Sequence, residues 1–183
     1  MSFLHPALDA LLGLLRERDL APDDIEHLTL KFPRAGIHCI DDNPLKSHCA
    51  QYILPVAVAN RGLAVADIFI DRRIGNPAIA SLCRRVSVES DAVLDGLFPD
   101  FYASIVEVTT RAGETITRRN DIARGYPEAP MTEPELAEKF ERLAGSVAPP
   151  ERVRTLRAAI DALPTAPDLG DFAAALRAPV APC

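Results

Sequence analysis

Apolar positions along the chain follow two periods. Leu8, Leu11, Leu12 and Leu15 stand at the i, i+3, i+4 and i+7 spacing of one helical face, which predicts an amphipathic helix over residues 6–18 with Pro6 in its first turn. After a turn at Pro22-Asp23-Asp24, Leu28, Leu30 and Phe32 alternate with Thr29 and Lys31, the pattern of a half-buried strand that Pro33 stops. Residues 34–45 carry Gly36, Asp41, Asp42, Asn43 and Pro44 and read as a polar loop. A second helix is expected from Lys46 to Arg61. Ala50, Ile53, Leu54 and Ala57 make its apolar stripe, and Val56 and Ala59 widen that stripe until the helix must be buried on two sides. Pro55 should kink it, and Gly62 is placed to close it.

The second half changes period twice. A short helix over residues 77–85 puts Ile79, Leu82 and Cys83 on one face. Strands are expected to begin at Val86-x-Val88 and at Val106-x-Val108, the latter turning at Ala112-Gly113 and returning antiparallel over Thr115–Arg119. Gly125 to Pro130 is irregular, and a composition shift near Gly125–Met131 marks the best internal boundary. Beyond it, Thr132 and Glu135 form a capping box before Leu136, Phe140 and Leu143. Two further stripes follow, Val153, Leu156, Ile160 and Leu163, then Leu169, Phe172 and Leu176. The order is thus helix, strand, long loop, helix, small sheet, then helices.

Composition narrows the classes. Among 183 residues, 48% are hydrophobic and 25% charged, the balance of a globular chain with a real core. The net charge is −6 and no basic stripe is present, so nucleic acid is not an expected partner. The longest apolar run, Ile53–Ala59, is far short of a membrane span, and the first residues show no secretory pattern. Cys39, Cys49, Cys83 and Cys183 form no C-x-x-C pair and read as free thiols of a cytoplasmic protein. Arg72-Arg73 and Arg84-Arg85 read as solvated faces, and of Arg118-Arg119, on a strand, one alone can face a given side.

No phosphate loop, dinucleotide fingerprint, zinc-protease helix or nucleophile elbow is present. The notable chemistry is His38-Cys39 and His48-Cys49, with Lys46 and Tyr52 nearby. Imidazole and thiolate suit zinc, but the spacing matches no standard zinc module, and two loop-lining histidines with two small thiols fit as well. Proton transfer is the better functional reading. His38 and His48 can act as acid or base, the Tyr52 hydroxyl can donate to a developing oxyanion, and Lys46 can hold a carboxylate. Tyr52, His48 and His38 are therefore the catalytic candidates and Lys46 the substrate-binding one. The start of the helix after Pro44 also offers backbone N–H groups to an anion. A solvated loop with a helix cap accounts for the same residues.

Four segments carry a family resemblance: HPALDALLGLLRERDLAPDDIEHLTLKFP, NPLKSHCAQYILPVAVANRG, SIVEVTTRAGET and GYPEAPMTEPELAEKFERLAG. In this order they resemble the C-terminal part of the MmgE/PrpD family, the last through its Gly-x-Pro-x-x-Pro-Met-Thr loop and Lys-Phe helix. The resemblance implies an α+β fold: a small domain of helices and an antiparallel sheet over residues 1–131, and over 132–183 helices that pack on a helical domain lying outside this sequence. It implies homodimeric enzymes without cofactor or metal. Their reactions remove a proton next to a carboxylate of a small di- or tricarboxylate, then lose water, lose carbon dioxide or epimerise. His48-Cys49-Ala50-Gln51-Tyr52 resembles the family's His/Phe-x-x-Gln-Tyr, Lys46 lies one place from a common Lys, and His38 falls at or near a site Tyr of the decarboxylase branch.

Two functions follow as expectations. In one, the chain is part of a hydro-lyase of the 2-methylcitrate dehydratase kind, inactive until a partner chain supplies the helical half, with the apolar stripes of its last helices covered by that chain or in a homodimer. In the other, it is a non-catalytic binding or interaction module derived from the family.

Overall fold

A computed structural model describes residues 2–68 and 76–177. It divides into two compact units, Met1–Pro130 and Met131–Cys183. The first is built from helix α1 (His5–Glu17), strand β1 (Ile25–Phe32), a single helical turn α2 (Arg34–Ile37), helix α3 (Ala50–Asn60), helix α4 (Pro77–Cys83), strand β2 (Val86–Ser90), a single turn α5 (Ala92–Asp95) and strands β3 (Ser104–Thr110) and β4 (Thr115–Asn120). The class is α+β, as the family resemblance implies.

The four strands make one sheet in the order β2-β1-β3-β4. β1 and β3 pair antiparallel, as do β3 and β4, whereas β2 runs parallel to β1, with Leu28 opposite Val86 and Leu30 opposite Val88. The sheet is thus mixed, a pairing that the period of the strands does not carry. The chain between β1 and β2 holds α3 and α4, the crossover that a parallel pair requires.

Register sorts the side chains onto two faces. Leu28, Leu30 and Phe32 share one face with Val106 and Val108, and all five are buried. Against it, α1 buries Ala7, Ala10, Leu11 and Leu14. On β4, Arg118 reaches Glu17 of α1 at 2.5 Å while Arg119, on the opposite face, pairs with Asp121 at 2.6 Å. The second face is polar: Lys31 meets Glu107 at 2.7 Å, and His27 bonds Ser87 at 2.9 Å. The Glu107 carboxylate pushes the Lys31 ammonium pKa up.

α3 is buried over most of its girth, with Ala50 and Tyr52–Val58 inside. It stays helical on both sides of Pro55. Two details differ from the sequence reading. The helix begins at Ala50 and not at Lys46, because Lys46–His48 form a separate 3-10 turn and Cys49 is extended, with φ −91° and ψ 116°. It ends on Arg61, which takes the left-handed position at φ 53°, while Gly62 donates its N–H to Ala57 O at 3.2 Å. The single turns α2 and α5 escape the periodicity, being too short to show one; α5 is held by the Asp91 carboxylate, which accepts from the N–H groups of Val93 and Leu94. Phe3, Phe32, Phe98 and Tyr102 form an aromatic cluster, Phe3 and Tyr102 being closest at 4.5 Å between centroids.

The second unit has helices α6 (Glu133–Gly145), α7 (Pro150–Ala162) and α8 (Gly170–Arg177). The capping box is formed: Thr132 N–H donates to Glu135 Oε2 at 2.7 Å and Thr132 Oγ1 accepts from the Glu135 N–H. No residue of α6 or α8 is buried, and α7 buries Val153. Leu136, Leu169 and Leu176 stay 45%, 66% and 55% exposed. Among the described residues no helix is long and apolar enough to cross a membrane. Arg72, Arg73 and Cys183 lie outside the described residues.

Candidate functional site

The candidate residues sit where β1 gives way to α3. After Pro33 ends the strand, α2 folds back and Ile40 buries, so the polar stretch from Asp41 to His48 spans from one buried anchor to the next. The Ala50 N–H donates to Ile40 O at 2.8 Å and joins the two ends. Asn43 shapes the middle: its Oδ1 accepts from Leu45 N–H at 2.8 Å and its Nδ2 donates to Cys39 O at 2.8 Å.

Lys46 and Tyr52 are brought together. The Lys46 ammonium lies 5.1 Å from the Tyr52 ring centroid, a cation over an aromatic face. Tyr52 is buried, and its hydroxyl donates to Asp67 O at 2.6 Å. The ring therefore serves as a platform, while the hydroxyl ties α3 to the 3-10 turn Val65–Ile68. His38 and His48 bond to their sequence neighbours: His38 Nε2 lies 3.3 Å from Cys39 Sγ, and His48 Nδ1 lies 2.8 Å from Ser47 Oγ. His38 is exposed and His48 half-buried.

The start of α3 offers an anion less than the sequence reading expects. The Ala50 and Tyr52 N–H groups are already bonded, to Ile40 O and Cys49 O. Positive charge here comes from the Lys46 side chain. Burial pushes the thiol pKa of both Cys49 and Cys83 up, which keeps them protonated and poorly nucleophilic. Among the described residues, no three His, Cys, Asp or Glu side chains gather to hold a metal ion.

Gln51 has no part in the sequence reading beyond its place in the motif, yet its side chain makes three hydrogen bonds at the junction. Its Nε2 donates to Asp41 Oδ1 at 2.6 Å, and its Oε1 accepts from the Asp42 N–H at 3.0 Å and from the Cys49 thiol at 3.5 Å. The signal in the sequence is a lone amide in the first turn of an otherwise apolar helix, facing a loop with two acidic residues.

A family model described as the MmgE/PrpD C-terminal domain matches residues 1–165. Cis-aconitate decarboxylase of Mus musculus is 24% identical over 169 residues, which cover 89% of this chain and 34% of the relative. Cis-aconitate decarboxylase of Homo sapiens is 26% identical over 174 residues, covering 92% of this chain and 36% of the relative. The chain thus spans about a third of the length of these curated relatives. With the family match running through the sheet, the loop and α3 alike, the chain belongs to the MmgE/PrpD family and carries its C-terminal domain.

Proposed function

We propose that this domain forms one wall of an active site for a small di- or tricarboxylate, in a cofactor-independent lyase or isomerase reaction. The observation that carries the reading is Lys46, held over the Tyr52 ring at the polar entry of a buried helix. An ammonium fixed there suits a carboxylate, since a charge-assisted bond is stronger than a neutral one. Loss of water, as in 2-methylcitrate dehydratase, and loss of carbon dioxide, which the relatives' name implies for them, both build negative charge beside a carboxylate. A prepositioned cation lowers the energy of that charge without reorganising as it forms. In this reading Lys46 holds the substrate, Tyr52 holds Lys46, and His48 and His38 supply imidazoles for proton transfer.

The opposing wall, with the remaining acid–base groups, is proposed to come from a partner chain carrying the helical part of the family, and the exposed stripes of the second unit to be covered by that chain or in a homodimer. Two observations support this: the relatives are about three times as long as the matched stretch, and Leu136, Leu169 and Leu176 stand at the surface. The test is reconstitution. The chain is assayed for cis-aconitate decarboxylation and 2-methylcitrate dehydration alone, then mixed with a chain carrying the rest of a cis-aconitate decarboxylase. The expected result is no turnover alone, turnover in the pair, and a loss of at least ~tenfold in Lys46→Ala. Turnover by the isolated chain, or an unchanged rate in Lys46→Ala, would sink the proposal.

One observation favours the binding-module alternative. The Tyr52 hydroxyl donates to Asp67 O within the domain while Lys46 stands over its ring, so the junction is equipped to hold an anion without a proton from Tyr52. Citrate binding with no turnover in the reconstituted pair would decide for that alternative.

A further inference from the structure

We infer that Gln51 is a positioning residue of this site: its carboxamide locks the loop between Ile40 and Cys49 into the shape that presents Lys46 and His48. The inference rests on the site reading above and adds the group that holds the loop. Gln51 belongs to α3, which is anchored in the core by Tyr52–Val58, so its side chain starts from a fixed base. From there it reaches the far bend of the loop twice, at Asp41 Oδ1 (2.6 Å) and the Asp42 N–H (3.0 Å), and the helix entry once, at Cys49 Sγ (3.5 Å). Asp42 sits at φ 45°, a left-handed conformation that a non-glycine residue keeps when its surroundings hold it there. Asn43 ties the loop to itself, through Cys39 O and the Leu45 N–H. Gln51 ties the loop to the core.

The chemistry selects an amide. One planar group must donate to a carboxylate and accept from a backbone N–H at once. A carboxylate in its place would keep the acceptor and repel Asp41, and an alkyl chain would lose both bonds.

Hydrogen exchange at the Asp42 amide and a citrate titration, both followed by NMR on the whole chain, test this. The proteins are the wild type, Gln51→Met, Gln51→Glu and Lys46→Ala. In Gln51→Met, the Asp42 amide should exchange about fivefold or more faster, and about fivefold more citrate should be needed to shift the Lys46 and His48 signals, in a chain that stays folded with its unfolding midpoint lowered by about 0.5 M urea. Gln51→Glu, which keeps the acceptor, should fall between wild type and Gln51→Met in exchange, and it carries the test should Gln51→Met fail to fold. Lys46→Ala should lose the citrate response while Asp42 exchanges at the wild-type rate. Unchanged exchange in Gln51→Met overturns the inference, as does faster exchange with an unchanged citrate response. A wild-type chain blind to citrate overturns the site reading itself, and the positioning role falls with it.

Discussion

Tyr52→Phe separates what the hydroxyl does from what the ring does. The hydroxyl donates to Asp67 O at 2.6 Å, and the residue is 8% exposed, so the substitution deletes one hydrogen bond and strands a part-buried carbonyl. A net loss of about 1 kcal/mol follows, because the bond was won in exchange for water. With a urea dependence of about 2 kcal/mol per M, the unfolding midpoint should fall by about 0.5 M. Tyrosine fluorescence is the natural probe: the chain has no Trp, and its three tyrosines, Tyr52, Tyr102 and Tyr126, all lie in the first unit. The ring survives in Tyr52→Phe, so Lys46 keeps its platform and the citrate response should stay within about twofold of wild type. Tyr52→Leu removes the platform and should weaken citrate by about fivefold, the worth of an exposed cation–π contact. An unchanged midpoint in Tyr52→Phe would show that the bond to Asp67 contributes nothing. A citrate response lost equally in Tyr52→Phe and Tyr52→Leu would show that the hydroxyl, and not the ring, faces the ligand.

Three further outcomes are expected. Gly36→Ala should lower stability by about 1–3 kcal/mol in thermal unfolding, since the added Cβ would stand 2.5 Å from Phe32 Cε1 inside the aromatic cluster, whereas Gly13→Ala, which displaces only the mobile end of Arg118, should stay within about 0.5 kcal/mol of wild type. Burial raises the Cys49 thiol above its ordinary value of 9.0, so its share of stability is full below that value and is lost as pH rises from there through the raised folded value; above pH 9 the wild-type unfolding midpoint should fall more steeply than that of Cys49→Ala, and parallel slopes would exclude this linkage. Thr132→Ala removes the hydroxyl half of the capping box, leaving the backbone N–H of residue 132 on Glu135, and should destabilise α6 by about 1 kcal/mol, read as faster amide exchange in its first turn, with the exchange rates of β1 unchanged.

Where local chemistry decides the structure, the sequence was legible. Alternation at Leu28, Leu30 and Phe32 located β1, the four-leucine stripe located α1, and Thr132 with Glu135 located the start of α6. Gly113, at φ 87°, makes the expected hairpin turn. What stayed hidden depends on partners distant in sequence. The parallel pairing of Leu28 with Val86 spans nearly 60 residues, and nothing in either strand's period specifies direction. Helix α3 starts late because Cys49 is extended, and the Ala50 N–H is satisfied from Ile40, ten residues back, rather than from a preceding turn. At the site, composition located the loop and its cation. That Lys46 lies over Tyr52, and that Gln51 reaches Asp41 and Asp42, depends on how the loop folds back on the helix, which spacing alone does not encode.

The burial of α3 explains why the chemistry collects where it does. A helix with a solvated face can carry polar groups anywhere along that face. α3 has no such face between Tyr52 and Val58, and a charge on any of those turns would be buried without a partner. Polar function can therefore attach only at its ends. The C-terminal end is taken up by Arg61, whose guanidinium donates to Leu15 O at 3.1 Å and pairs with Asp19 at 2.5 Å, closing the helix against α1. That leaves the entry, where Gln51 is the one residue between Ala50 and Val58 that is not buried, and where Lys46 can lean over the first aromatic ring while keeping its ammonium near water. The same apolar run that makes α3 the centre of the core thus confines the candidate site to a single junction. It also makes that junction depend on the side chain that ties the loop back to the helix.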